Sequence, residues 1–390
     1  MAEPVNTPVP ASTPRSTSPA PLNPPTIPVS LAQYNKGLVS SKARVLQIGD
    51  AVPYNPAEVS KFRKEFDVIY ISPAERRRDQ FKTALQQGTW GDFHAIFQPS
   101  LHSGYEMGEW DAELINLLPK SVRVFASAGT DYNAIDIRQL AQHGIIFRDA
   151  SFAAVDAVAD FTTDMIISVL HNFPQCMEAA TSNDPAKSTT CHETLSHNLD
   201  RQTVGLIGFG NVGAGIANRC GLGLGVTIHC YCPPSTDIPS PEALCAKVDV
   251  VFHDSLESLV SSVDCVVLSE PIFDKDSPPI IGVRELSWFR PGARLVNAGG
   301  EGLVDYEALA DALDSGYLSS VALDAYSLGG HINARLRDHA ASGKAILTCN
   351  NARGTVETAK GCEELAMREI KSVIFGTGPN TAINMNYFQQ

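Results

Sequence analysis

No apolar run in the 390-residue sequence reaches the roughly 18–20 residues that cross a bilayer; the longest stretches, such as Val263–Leu268 with its polar interruption at Asp264, have strand length. A basic block is missing too. The 30 Lys and Arg stand against 43 Asp and Glu, a formal charge of −13, which makes nucleic acid and anionic membranes poor partners. The nine cysteines (Cys176, Cys191, Cys220, Cys230, Cys232, Cys245, Cys265, Cys349, Cys362) form no CxxC pair. An odd number, in a chain too large to need staples, fits a reduced cytoplasmic compartment. Cys230-Tyr231-Cys232 beside His229 has no second ligand pair nearby and reads as strand, so no metal is expected. Residues 1–30 hold nine prolines but no apolar signal core and one Arg, so residues 1–35 are expected to be a disordered tail. Thr13-Pro14 and Ser18-Pro19 there fit proline-directed kinases less well than a plain solvated tail. The C-terminal Tyr387–Gln390 carries no targeting address.

What is present suggests two domains with full cores, given the length and a 44% hydrophobic content. From Arg44 onward short β-branched runs alternate with helical patterns. Strands are expected at Arg44–Ile48, Val68–Ile71, Ala95–Gln98 and Val122–Ala126, and helices at Ala57–Phe66, Arg76–Gln87 and Glu109–Leu117. This alternation indicates parallel α/β sheets. Asp156–Leu170 places Val158, Phe161, Met165, Ile166, Val169 and Leu170 at helical spacing.

The first chemical motif follows the apolar strand Thr203–Ile207. Gly208-Phe209-Gly210-Asn211-Val212-Gly213 leads into a helix expected over Asn211–Cys220, and Val226–Tyr231 reads as the next strand. Within such a βαβ unit a GxGxxG turn is a strong dinucleotide signal. Gly208 permits the turn, Gly210 lets backbone approach a pyrophosphate, and Gly213 lets helix and strand pack closely. The helix start supplies N–H groups, those of Asn211 and Val212 among them. The acid that normally ends the second strand and binds the NAD ribose is replaced by Cys232, with no Arg or Lys before Lys247 to attract a 2′-phosphate. NAD and NADP both stay open.

Further segments extend this pattern. Ala128–Asp136 resembles the GxGxxxxD turn of the D-isomer-specific 2-hydroxyacid dehydrogenases, Val158-Ala159-Asp160 their VAE helix, and Phe289–Asn297 their "MKPGAxLVN" strand. Gly302–Asp305, Ala308-Leu309 and Leu323-Asp324 follow in the family's order, and Leu347–Thr358 is similar to the ending of its fungal D-mandelate dehydrogenase-like branch. The resemblance runs from about residue 44 to 386. It implies two doubly wound parallel-sheet domains, a Rossmann cofactor domain (156–352) inserted in a flavodoxin-like substrate domain (36–155 and 353–390). It also implies a homodimer, NAD or NADP as cofactor, and hydride exchange with a small 2-oxo or 2-hydroxy acid. By the same resemblance Asp324 contacts the nicotinamide carboxamide, Pro271 belongs to the loop over the adenosine, and Ala298 lines the cofactor site.

The family's chemistry needs an Arg fork for the substrate carboxylate, a His that exchanges the proton, and a Glu that tunes the His. Aligned residue by residue, those places hold Gly300, Asn350 and Gly329. Neither glycine carries a functional group, and an Asn is no proton donor near neutral pH. Substitute chemistry could come from Arg353, Glu301, His331 or His102, each with the alternative of simply facing solvent. Two functions stay open: an oxidoreductase on a small carbonyl or hydroxy compound of specialised metabolism, using non-standard residues, or a catalytically inactive relative acting as nucleotide sensor or dimeric scaffold.

Overall fold

A computed structural model describes residues 42–99, 103–129, 134–233, 244–245, 247–269, 278–324, 333–377 and 382–388. The tail expected over 1–35 lies outside the described residues, as do Pro271, Gly329, His331 and His102.

The first five strands, β1 (Arg44–Gln47), β2 (Asp67–Tyr70), β3 (Ala95–Gln98), β4 (Val124–Ser127) and β5 (Ile146–Arg148), form one parallel sheet in the order β2-β1-β3-β4-β5. That is the flavodoxin-like order of a doubly wound sheet. Side chains alternate between its faces. Leu46, Ile96, Phe125 and Phe147 enter one core with Phe81 and Trp110. Val45, Phe97 and Val124 enter the other, with Phe62 and with Met367 and Ile370 of the long helix Val356–Phe375.

The chain then leaves this sheet through a short turn, Ser151–Ala154, and the helix Val155–Leu170. Seven more strands follow: β6 (Thr203–Ile207), β7 (Thr227–Tyr231), β8 (Val250–Phe252), β9 (Cys265–Leu268), β10 (Ala293–Asn297), β11 (Leu318–Leu323) and β12 (Ala345–Leu347). Their order is β12-β11-β10-β9-β6-β7-β8, all parallel, with the Rossmann reversal of direction between β6 and β9. All four residues of β9 are fully buried, as expected of a central strand covered on both faces. Val266 and Leu268 pack with Leu309 and Leu313, whereas Val267 packs with Ile166 and Ile216 on the other side.

The chain returns to the first sheet in the helix Val356–Phe375, capped by the Thr355 side chain on the Thr358 N–H. Gly361 allows that helix to approach the departing turn: a Cβ there would stand 3.0 Å from the Cβ of Ala153. Beyond the helix, Asn384 is wholly buried. Its amide accepts from the Phe147 N–H at 2.9 Å and donates to the Ile145 carbonyl at 2.9 Å, fastening the chain end to β5.

Local boundaries differ from expectation where a cap or a breaker intervenes. The helix expected at Glu109–Leu117 is only Ala112–Ile115, because Asp111 caps it with a bond from the Leu114 N–H and Pro119 lies just beyond. The helix after the glycine turn is α-helical over Asn211–Ala217 and widens to a π-type segment over Asn218–Gly223. Among the described residues no helix is long and apolar enough to cross a membrane.

Candidate functional site

All seven parallel strands of the Rossmann sheet end at one edge, the carboxyl edge, and the described candidate residues of this sheet follow β6, β7, β10, β11 and β12 there. Ligands of such sheets bind at this edge, where strand order reverses. At the reversal Gly208 takes a φ of 97°, open to glycine but costly for other residues. The Ser269 hydroxyl donates to the carbonyls of Ile207 at 3.2 Å and Gly208 at 3.1 Å, tying the ends of β6 and β9 together.

Gly210 and Gly213 are glycines for opposite reasons. A Cβ on Gly210 would meet nothing within 4 Å, so the space before the helix is open. One on Gly213 would stand 2.7 Å from the Gly208 carbonyl oxygen, so any side chain there would force helix and turn apart. Asn211 is exposed and Val212 half-buried at the first helical turn, whose N–H groups have no intrahelical partner. An open cradle bounded by free backbone donors fits the pyrophosphate of a dinucleotide.

The helix is steadied from behind by Ala159, whose Cβ would be 3.0 Å from a Cβ on Gly215. Arg219, paired with Asp156 and Asp160, adds to this. At the end of β7, Cys232 is half-buried with its sulfur 3.6 Å from that of Cys230. Cys232, which the sequence reading expects at the place of the ribose-binding acid, is thus one of two neighbouring thiols. Among the described residues no three His, Cys, Asp or Glu side chains group so as to hold a metal ion.

The other half of the edge is organised by side chains. Asn297 is fully buried at the end of β10. Its Oδ1 accepts from the N–H groups of Gly299 (3.0 Å) and Gly300 (3.3 Å), and its Nδ2 donates to the Gly300 carbonyl (2.7 Å). The turn Ala298–Gly300 is therefore wound around one amide. Gly300 has φ 156° and ψ 163°, a combination close to glycine-only. Glu301, half-buried, opens the single turn that follows.

Asp324, at the end of β11, is buried. Its carboxylate accepts from the Thr348 hydroxyl (2.6 Å) and the N–H groups of Asn351 (2.8 Å) and Ala352 (2.7 Å). Three of its roughly four acceptor sites are thus spent on holding the loop after β12. This is a clamping role the sequence did not suggest, and it leaves one acceptor for a carboxamide. Within the clamped loop Asn350 is exposed with φ 54°, a left-handed conformation that Asn tolerates well. Arg353 is half-buried in the loop that precedes the helix Val356–Phe375, not on the helix itself.

Arg353 lies close enough to Cys362 to pull its thiol pKa down; burial outweighs that pull and pushes the thiol up to about 11. Asp149 acts on the same thiol, which places Arg353, Cys362 and Asp149 in one neighbourhood at the junction of the two sheets. Cys362 points its sulfur at the Ala150 carbonyl, 3.7 Å away. Asp149 itself, just past β5, has its pKa raised to about 6 by burial, against the opposing hydrogen bond from Ser151 at 3.1 Å. Nothing in the sequence singled it out: an Asp after a strand is common, and the burial that raises its pKa is not written in its neighbours along the chain.

Comparison with known proteins agrees with this geometry. Residues 163–340 match the family model described as D-isomer specific 2-hydroxyacid dehydrogenase, NAD binding domain. The structure of Rhodotorula graminis D-mandelate dehydrogenase superposes with a TM-score of 0.77 at 29% identity, over 85% of this chain and 94% of that one. The 4-methyl-2-oxopentanoate reductase A of Aspergillus oryzae is 26% identical over 324 residues, covering 81% of this chain and 93% of its own. The D-3-phosphoglycerate dehydrogenase of Bacillus subtilis is 26% identical over 77% of this chain, which spans only 57% of that relative. The chain is a homologue of the D-isomer specific 2-hydroxyacid dehydrogenases, enzymes of small hydroxy and keto acids, and its residues 163–340 form their NAD binding domain.

Proposed function

We propose that the chain is an NAD(P)-dependent oxidoreductase of a small carbonyl or hydroxy compound in specialised metabolism, working without the family's usual Arg, Glu and His. The observation that carries this reading is the intact backbone cradle. Gly208 turns the chain, Gly213 seats the helix, and the space at Gly210 stays open. Gly208, Gly210, Asn211, Val212 and Gly213 would hold the pyrophosphate, Cys232 and the Pro271 loop the adenosine side, and Ala298 and Asp324 the nicotinamide side. The bound nicotinamide supplies the hydride chemistry. The remaining tasks fall to this chain's own side chains. Arg353 provides a cation for a substrate carboxylate. Asp149, whose pKa near 6 suits general acid–base work, holds the exchangeable proton. Glu301, which follows β10, is the second candidate acid.

The rival reading, an inactive nucleotide sensor or dimeric scaffold, is favoured by a different observation. Gly300 and Asn350 both serve as turn residues through their backbone angles, a sufficient reason for each without any chemistry. The deciding experiment titrates NADH and NADPH by calorimetry and then assays a panel of 2-oxo acids with both. Under the first reading, nucleotide binds, at least one small 2-oxo acid turns over, and Arg353→Ala raises its KM sharply. The pH–rate profile should break near 6 and lose that break in Asp149→Asn. Binding without turnover of any panel member establishes the inactive relative. Absence of nucleotide binding sinks both.

A further inference from the structure

The opposite edge of the Rossmann sheet, where the strands begin, holds a cavity of about 710 Å³. Its floor is the start of β6 at Thr203, of β10 at Ala293 and Arg294, and of β11 at Ser319; its wall is the segment from Asn172 to Gln202. It is therefore separated from the glycine turn by the length of the strands.

The charged side chains lining it are Arg201, Asp264, Arg290 and Arg294, and His197 lies beside them. Asp264 is already committed. One oxygen accepts from Arg290 at 3.0 Å, the other from the Thr203 N–H (2.9 Å) and hydroxyl (2.8 Å). Arg290 and Asp264 cancel, and the carboxylate staples β6 to β9. No ion pair or side-chain hydrogen bond among the described residues engages the guanidinium of Arg201 or Arg294. The Nε of Arg294 is wholly buried without an acceptor. A buried unpaired guanidinium N–H is costly, and native structures show few of them. The nearby Cys265 offers no countercharge, since burial lifts its thiol to about 12 and keeps it neutral. Asn172, Gln175 and Gln202 add amide donors to the lining. The helix ending at Leu170 contributes at most about half a negative charge, against two whole positive ones. Arg294, half-buried with its Nε unpaired, and the exposed Arg201 at the rim thus leave the cavity two positive charges that no carboxylate of its lining offsets, in a chain of formal charge −13.

We propose that this cavity binds a small, multiply charged oxyanion, with Arg201 and Arg294 as its cationic contacts. The volume is much more than a lone phosphate ion occupies and lies within the range of small-metabolite sites, so the ligand is a metabolite bearing two or more carboxylate or phosphate groups. Guanidinium groups favour both oxyanions through paired N–H donors. The site is independent of the redox reading, because it uses none of the residues at the carboxyl edge.

The test is calorimetric titration of citrate and of inorganic pyrophosphate, separately, into the wild-type chain and into Gly210→Asp, whose dinucleotide cradle is blocked. Saturable binding of one of them in both proteins is expected, and which one binds tells carboxylate from phosphate. Arg201→Gln, at an exposed position that cannot endanger folding, should weaken it at least tenfold. Arg294→Gln should do the same, while Arg294→Lys should keep part of the affinity. The proposal is overturned by no saturable binding in wild type, by affinity unchanged in Arg201→Gln, or by loss of binding in Gly210→Asp. An acidic side chain of a second copy filling the cavity would show as no anion binding together with a smaller assembly in Arg201→Gln, and would equally overturn it.

Discussion

The two halves of the carboxyl edge are built differently. Around β6 the site is made of backbone: a φ of 97° at Gly208, an open approach at Gly210 and a close contact at Gly213. Around β10, β11 and β12 it is made of side chains, with Asn297 winding one turn and Asp324 clamping another. A backbone site can hold a phosphate with almost any neighbouring residues, because N–H groups are supplied by every residue but proline. A side-chain site changes its chemistry with each substitution. The half built of backbone keeps the full glycine pattern, whereas the half built of side chains holds Gly300 and Asn350, the positions at which the sequence reading expects the family's Arg and His.

The sharpest way to break this comparison is at the two glycines. Gly210→Asp should leave the fold intact, since its Cβ meets nothing, yet lower NADH affinity at least 100-fold by placing a carboxylate against the pyrophosphate. Gly213→Ala should do the reverse, lowering stability by about 2–3 kcal/mol through the clash with the Gly208 carbonyl. Denaturant midpoints and nucleotide titrations on the same two variants separate the effects. If both variants lose only binding, the packing role of Gly213 is wrong.

On the side-chain half, Asp324→Asn should destabilise by about 2 kcal/mol. It replaces a charged acceptor of three hydrogen bonds with an amide that must face an N–H with its own NH2. Limited proteolysis should then cut near Asn351; a resistant loop would show that the clamp is dispensable.

Asp149 gives a pH-dependent comparison. Its pKa is raised in the fold to about 6, above the ordinary value of 3.8, so the folded state binds the proton more tightly than the unfolded one. Its contribution is most favourable below about pH 4 and declines as pH rises through 6. In Asp149→Asn that decline should vanish, a gain over wild type of the order of 2 kcal/mol at pH 7.5 and close to none at pH 4. Equal pH profiles of melting temperature for the two proteins would refute it.

The smallest effect is expected at Cys232. An Asp there restores a partner for ribose hydroxyls and repels a 2′-phosphate. Cys232→Asp should shift the NADH to NADPH affinity ratio about tenfold toward NADH, read from paired titrations. An unmoved ratio would mean that the end of β7 does not face the adenosine ribose.

What the sequence determined by itself is what depends on neighbours along the chain. Apolar runs such as Cys265–Leu268 mark buried parallel strands, and the spacing of Gly208, Gly210 and Gly213 after one of them specifies a dinucleotide turn, because turn angles and strand periodicity are local properties. Boundaries slipped where local signals compete, as at Asp111, which caps and so shortens its helix. Only the tertiary structure decided the rest. It brought Asp324 to the loop of Asn351, drew Asp149 and Arg353 together beside Cys362, and left Arg201 and Arg294 without countercharge around one cavity. The partners in those cases lie tens to hundreds of residues apart. Whether a carboxylate is a clamp, an acid or a mere surface charge depends on how deeply it is buried and which donors reach it, and the order of residues along the chain carries neither quantity.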